Sequence, residues 1–260
     1  MTPDESAADA ALLNAAVAQA SALALKYFND GTKAWEKSPG NPVSDADLAV
    51  DALLKNRLMT ARPTYGWLSE ETPDTPDRLN RERVWMVDPI DGTRAFLKGR
   101  PQFTVCAGLV ERGIPVLGAV CNPAREEFFD AGLGTGARLN GAELAVGNNT
   151  ALANAKLLAS PRTFAQGGAG PALPNAEFTG VNSIAYRMVL IAAGRFDATI
   201  SMAPKSDWDI AAADIICREA GCLVTDQSGA EFSYNKEDVR HPGVVVAPPE
   251  LHREIIGALS

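Results

Sequence analysis

Val84-Trp85-Met86-Val87-Asp88-Pro89-Ile90-Asp91-Gly92-Thr93 leads four apolar residues straight into two carboxylates, a proline and a glycine. The apolar run reads as a short buried strand that Asp88 ends. Pro89 restricts the backbone on both sides of itself and forces a turn. After that turn, the Ile90 carbonyl and the Asp91 carboxylate can converge on the side that carries Asp88. Gly92 lets an anion approach the backbone, and the Gly92 and Thr93 N–H groups suit one if a helix starts through Arg94-Ala95-Phe96. In isolation Asp-Pro and Asp-Gly are ordinary turn dipeptides, and Asp209 in Ser206-Asp207-Trp208-Asp209 is an ordinary helix cap. A third acidic patch, Leu68-Ser69-Glu70-Glu71-Thr72, changes the balance. Acids at a strand end, at a helix start and in a Ser-Glu-Glu segment make an all-oxygen donor set. Hard cations such as Mg²⁺ take a few carboxylates of this kind and leave positions for water and phosphate.

Toward the N-terminus, Leu12, Leu13, Ala16, Val17, Ala20, Leu23, Ala24 and Tyr27 recur at helical spacing. They predict an amphipathic helix from Glu5 to Phe28, stopped at Asn29-Asp30-Gly31. Pro39 to Pro42 reads as a loop, and a second helix starts near Ser44 with Asp45 and Asp47 in its first turn. Downstream, Phe103 to Leu109 and Val116 to Cys121 flank Glu111-Arg112-Gly113 as a hairpin. Phe128 to Ala131 continues that antiparallel series, and Gly132 to Gly141 reads as turn. The second half alternates strands (Leu157 to Ser160, Asp197 to Ser201, Leu223 to Thr225, Val244 to Ala247) with helices (Ser183 to Ala193, Asp209 to Ala220, and one from about Pro249). The pattern predicts an α+β first half and an α/β second half. The punctuation at Asn140-Gly141 and Asn148-Asn149-Thr150 sets two subdomains, 1–145 and 146–260.

The chain has 260 residues, enough to bury roughly three quarters of its unfolded surface. Its 24 Lys and Arg against 32 Asp and Glu leave a net charge of −8, with no basic run. That excludes a phosphate-tracking nucleic-acid surface, whereas a phosphorylated metabolite is still accessible if cations reverse the local charge. No stretch reaches about 18 consecutive apolar residues and no basic leader precedes the first helix, so no membrane partner is expected. Cys106, Cys121, Cys217 and Cys222 form no CxxC pair and read as buried, reduced thiols of a cytoplasmic protein. His241 and His252 lie outside every motif and are assigned to the surface, which argues against a phosphohistidine route.

Glu70-Glu71, Asp88 to Thr93 and Trp208-Asp209-Ile210-Ala211-Ala212 with Glu219-Ala220-Gly221 stand in the order seen in the inositol monophosphatase superfamily, which the chain resembles over nearly its whole length. Pro42-Val43-Ser44-Asp45-Ala46-Asp47, and Gly134-Thr135-Gly136-Ala137 with Asn140-Gly141, are lesser matches. The resemblance implies a layered αβαβα sandwich of the inositol monophosphatase and sugar phosphatase type, often a homodimer, and a lithium-sensitive, Mg²⁺-dependent phosphatase using two or three ions. It implies that Glu70, Asp88 and the Ile90 carbonyl hold one Mg²⁺, and that Asp88, Asp91 and Asp209 hold a second. Asp47, with Glu71, would serve a third ion or its waters, and Glu70 with Thr93 would orient and deprotonate the attacking water. Gly92, Thr93, Ser183, Arg187 and Lys205 are the implied substrate contacts.

Substrate choice rests on other positions. Members acting on inositol phosphates usually carry a Glu seven residues before the Trp-Asp aspartate, and here that place is Met202. Arg94-Ala95-Phe96-Leu97 resembles the 3′(2′),5′-bisphosphate nucleotidases, as do Gly113 to Val120 and Pro204 to Asp209. Lys98, Arg100, Arg187 and Lys205 are then the candidates for a second phosphate. Gly99-Arg100-Pro101 resembles the histidinol-phosphate phosphatases, which keeps that substrate and inositol 1-phosphate as alternatives. Asn182 stands where a Gly is typical. A non-catalytic metal- or partner-binding regulator on the same fold is the alternative of another class, and the complete acid set weighs against it.

Overall fold

The computed structural model describes residues 2–159 and 176–259. Helix α1 (Pro3–Asp30) leads into a hairpin of β1 (Ala34–Ser38) and β2 (Asn41–Ser44), then into α2 (Asp45–Ala61). A seven-stranded sheet follows in simple sequence order: β3 (Gly66–Ser69), β4 (Arg83–Asp91), β5 (Thr104–Glu111), β6 (Ile114–Asn122), β7 (Glu127–Gly132), β8 (Ala137–Leu139) and β9 (Ala142–Glu143). The single turn α3 (Thr93–Phe96) follows β4 directly. Only the β3–β4 pair is parallel; every later neighbour is antiparallel, as short hairpin connections require.

The remaining chain builds a second sheet of order β11-β10-β12-β16-β14, from β10 (Lys156–Leu158), β11 (Glu177–Thr179), β12 (Ala198–Ser201), β14 (Leu223–Thr225) and β16 (Val244–Ala247). Helices α4 (Ile184–Ala192) and α5 (Asp207–Glu219) lie between the two sheets, and α6 (Pro249–Leu259) covers the outside. A small ladder joins β13 (Lys205–Ser206) to β15 (Arg240–His241).

The period of two explains the layers. Trp85 and Val87 of β4, with Phe103, Val105 and Leu109, face Leu13, Val17, Val50 and Leu54 of α1 and α2. Val84 and Met86, on the opposite face of the same strand, join Met188, Val189, Ile210 and Ile215 of α4 and α5. In β16, Val244 and Val246 complete that inner core, whereas Val245 and Ala247 turn outward to Leu251 and Ile255 of α6. Each large side chain so withdrawn from water contributes roughly 1.5–3 kcal/mol. The layers are therefore α1/α2, first sheet, α4/α5, second sheet, α6: the expected αβαβα sandwich. The sheets divide the chain between residues 143 and 156, but the middle helices pack on both, so one core spans the divide.

Helix α1 is long and apolar enough to cross a membrane by length and composition; here Leu13, Val17, Ala20 and Ala24 are buried against the sheet. The expected loop at Pro39 to Pro42 is a β-hairpin, because Pro42 sits on a two-stranded ribbon where its missing N–H costs little. Part of the glycine-rich 132–141 segment also pairs, as β8 on β7. Ser160 of the predicted strand at 157–160 lies outside the described residues. Both histidines are buried, not on the surface: His241 bonds Asp207 at 2.7 Å and His252 bonds the Thr225 hydroxyl at 2.8 Å. Each ring is accommodated because a neighbour satisfies its nitrogen.

Candidate active site

Glu70, Asp88, Ile90, Asp91, Gly92, Thr93, Arg187 and Asp209 line one cavity of about 350 Å³, with Asn41, Pro42, Arg94 and Asn182 completing its wall. Three elements deliver the acids. Strand β4 ends in Asp88 and Asp91, with the ladder to β5 irregular between them, where Pro89 interrupts pairing. Glu70 follows β3, which runs parallel beside β4, and its N–H donates to the Val87 carbonyl at 3.3 Å. Asp209 stands in the first turn of α5 and accepts the Ser206 N–H at 2.7 Å.

Close packing of α5 on the sheet makes this convergence possible. Gly118 and Gly108 pair across β5 and β6 beneath α5. A Cβ on Gly118 would lie 2.2 Å from the Ala212 carbonyl oxygen, and one on Gly108 3.2 Å from the Ala212 backbone. Gly92 is required at the site itself: its φ is +96°, and a Cβ there would lie 2.9 Å from the Gln102 carbonyl oxygen.

The partners of these acids are specific. Asp88 is buried and its Oδ1 accepts the Ile90 N–H at 3.1 Å, within the stretch of β4 where the ladder to β5 is irregular. Asp91 Oδ2 accepts the Ser183 hydroxyl at 2.6 Å and the Ala185 N–H at 2.7 Å. Ser183, expected among the substrate contacts, is thus fully buried behind Asp91, with its oxygen capping α4 through the Tyr186 N–H. As the N-cap of α4 it serves the backbone and cannot also face the cavity. Asp47 is likewise inside: Oδ2 takes the Ser44 N–H and hydroxyl at 2.8 and 2.6 Å, and Oδ1 lies 3.2 Å from the Thr93 hydroxyl. That hydroxyl also lies 3.0 Å from the Ile90 carbonyl oxygen, so its one proton is shared between two acceptors.

Burial dominates the electrostatics, and repulsion between the acids adds to it at Asp88, Asp209 and Glu71. Burial, then the charges of Glu70, Asp91, Asp209 and Asp47, push the Asp88 carboxyl well above its usual range. Burial and the Asp91 charge push Asp209 up to about 7, against the Ser206 N–H and the Lys205 ammonium. Burial also raises Asp91, which the Ser183 and Ala185 bonds oppose. Glu71 rises to about 7 by burial, although Lys37 holds it at 2.8 and 2.9 Å.

A cluster that resists its own ionisation while donating only oxygen fits a hard divalent cation. Among the described residues no three such side chains already form a cage; the acids reach the cavity from the end of β3, from β4 and from the first turn of α5.

Sequence reasoning passed over Lys37, which reaches Glu70 at 3.2 Å as well as Glu71. It sits on β1, beside the Pro39 to Pro42 stretch that had read as loop. Asn41 and Pro42 come from the same hairpin, and the Arg94 guanidinium binds the Gly40 carbonyl at its tip. Arg187 lines the cavity with its Nε bonded to the Val181 carbonyl at 2.5 Å. Lys205 lies against Asp209 and Asp91 electrostatically, its ammonium bonded to the Ala203 and Pro204 carbonyls. Lys98 and Arg100 do not line the cavity. Glu219 accepts the Gly134 and Gly136 N–H groups at 2.9 and 2.8 Å, which gives that distant motif pair a structural task.

A five-layer αβαβα frame that gathers carboxylates, a threonine hydroxyl and an arginine around one small cavity defines a class of layered phosphomonoesterases. The model of the inositol monophosphatase family matches residues 5–260, and the chain belongs to that family. It is 36% identical over 201 residues to the inositol-1-monophosphatase of Rhizobium meliloti, covering 74% of this chain and 75% of that one. It is 30% identical over 234 residues to the 3′(2′),5′-bisphosphate nucleotidase CysQ of Escherichia coli, covering 86% and 94%. The crystal structure of the extragenic suppressor protein suhB from Bartonella henselae superposes with a TM-score of 0.84 at 26% identity, over 96% of this chain and 97% of that one. The protein is a phosphoric monoester hydrolase of a family that is generally Mg²⁺-dependent.

Proposed function

We propose that the chain hydrolyses a small phosphorylated metabolite with two or three Mg²⁺ ions, and that its preferred substrate is of the adenosine 3′,5′-bisphosphate type, released as AMP. Glu70, Asp88 and the Ile90 carbonyl would hold one ion; Asp88, Asp91 and Asp209 a second; Asp47 and Glu71 a weaker third. Bound Mg²⁺ supplies Lewis acidity, neutralising phosphate charge and making water a better nucleophile. The protein's own share is positional. Glu70 and Thr93 orient the attacking water, with Asp47 and the Ile90 carbonyl sharing the Thr93 proton and so leaving its oxygen lone pairs to the cavity. Gly92 and Thr93 offer backbone N–H groups to the phosphate oxygens.

The observation that carries the substrate reading is that Arg187 and Arg94 line the same cavity as the acids, with the Lys205 ammonium interacting electrostatically with Asp209 and Asp91. A monophosphorylated polyol has no second anion for these cations. Met202, at the position of the polyol-binding Glu, packs against the outer core under α6 and offers the cavity no polar group. The second reading is inositol 1-phosphate, favoured by the 36% identity to an inositol-1-monophosphatase. Comparing kcat/KM for adenosine 3′,5′-bisphosphate, inositol 1-phosphate and histidinol phosphate decides between them. The bisphosphate should lead by at least tenfold, and a reversed order overturns the assignment.

A further inference from the structure

We propose that His241 is a positioning residue for the Asp209 arm of the site, acting through Asp207; this rests on the reading of Asp209 as a metal ligand. Asp207 opens α5 two residues before Asp209 and is buried, as is His241. The His241 Nε2–H donates to Asp207 Oδ1 at 2.7 Å, and the Asn235 N–H donates to Oδ2 at 2.8 Å. The Asp207 N–H donates to the Val239 carbonyl at 2.9 Å. Both carboxylate oxygens and the amide of Asp207 are thus engaged by one stretch of chain, 235–241.

The same stretch forms β15, which pairs Lys205 with His241 and Ser206 with Arg240. Ser206 supplies the N–H that holds Asp209 Oδ2. The strand before Asp209 and the first turn of its helix are therefore both referenced to His241.

The clamp is itself fixed from outside. Phe232 and Tyr234 pack on the His241 ring with centroids 4.8 and 5.5 Å away. The Tyr234 N–H bonds the Gly113 carbonyl at 3.0 Å, at the turn of the β5–β6 hairpin. The Arg78 guanidinium bonds the Asn235 Oδ1 and the Lys236 carbonyl at 2.8 and 2.9 Å. These bonds tie residues 232–241 to the sheet that carries Asp88 and Asp91. His241 is the point at which that frame grips the helix carrying Asp209. Loss of its N–H would let the Ser206–Asp209 turn drift from Asp88 while leaving the hydrophobic core intact.

His241→Phe is the direct test, because it keeps an aromatic ring against Phe232 and Tyr234 and removes only the donor. The half-saturating Mg²⁺ concentration should rise roughly tenfold, the usual cost of an unsupported ligand, with kcat at saturating Mg²⁺ changed by less than threefold. His241→Gln, which restores an N–H donor, should recover most of the loss. A Mg²⁺ requirement within twofold of wild type in His241→Phe overturns the proposal, as does a His241→Gln no better than His241→Phe. If His241→Phe does not fold, the isosteric Asp207→Asn decides: it should show the same rise, and an unchanged requirement overturns the clamp. Asp209→Asn separates this from the reading beneath it, since retained Mg²⁺-dependent turnover there would remove Asp209 itself from the metal site.

Discussion

The Ser183 hydroxyl donates a 2.6 Å hydrogen bond to Asp91 Oδ2 across 92 positions of sequence. With the Ala185 N–H on the same oxygen, it fixes the rotamer of Asp91 and favours its charged form against burial. Ser183→Ala removes one of these bonds and the N-cap of α4 together. The expected result is a roughly tenfold higher Mg²⁺ requirement and a loss of about 1–2 kcal/mol of stability. Metal titration of activity and thermal unfolding measure the two effects; an unchanged Mg²⁺ requirement would show that Ala185 suffices.

Asp209 sets a pH dependence that metal should abolish. Its folded-state pKa of about 7 lies above its ordinary 3.8. The protonated form is therefore the one the fold favours. This contribution to stability is fully present below about pH 4 and is lost as pH rises through 7. The interval corresponds to a few kcal/mol for a group this buried. Glu71, also near 7, adds in the same direction with more solvent screening. Chelator-treated protein should lose thermal stability between pH 5 and 8, and added Mg²⁺ should restore more of it at pH 8 than at pH 5. Equal Mg²⁺ stabilisation at both pH values would mean that protons and metal do not compete at these acids.

The strand carrying Asp88 was legible from its four apolar residues, although it runs on through Pro89 to Asp91 with an irregular ladder instead of ending at Asp88, and every acid at the cavity was legible from its motif. The β1–β2 hairpin was not, since Pro39, Gly40 and Pro42 carry turn signals and its strands have almost no buried face to impose a period. Lys37 was missed with it. His241 was misread because a buried histidine differs from an exposed one only through its partner, and Asp207 lies 34 positions away. Ser183 was expected at the substrate, whereas its hydroxyl is buried against Asp91. Proximity by motif cannot distinguish a side chain that faces the cavity from one that holds its wall.

Gly118→Ala tests the close seating of α5. The added methyl would stand 2.2 Å from the Ala212 carbonyl oxygen and 2.6 Å from Ile215 Cγ2. A backbone atom cannot rotate away, so α5 must lift, and Asp209 with it. Overpacking of this kind costs about 3 kcal/mol or more, or roughly 6–12 °C of thermal stability at this size. Activity should fall along with it. Gly257→Ala, in α6 where a Cβ meets nothing within 4 Å, should instead be neutral or stabilising by about 0.5–1 kcal/mol. Matching losses in both variants would show that the helix seat is not what Gly118 provides.

Lys37 raises the question of what balances the acids before metal arrives. Burial works against its charge, but the hydrogen bond to Glu71 and the charges of Glu70 and Glu71 outweigh it and hold its pKa above the ordinary value. The ammonium thus occupies the oxygens that a weaker divalent cation would use, and it tethers the β1–β2 hairpin while doing so. Lys37→Gln removes the competitor. Because the pair is partly exposed, its screened strength is on the order of 1 kcal/mol, so the half-saturating Mg²⁺ concentration should fall by about two- to fivefold. The metal-free protein should meanwhile unfold at a slightly lower temperature, since Glu70 and Glu71 then repel without a counter-charge. A Mg²⁺ requirement that rises would mean the ammonium holds the acids in place for the ion and does not compete with it.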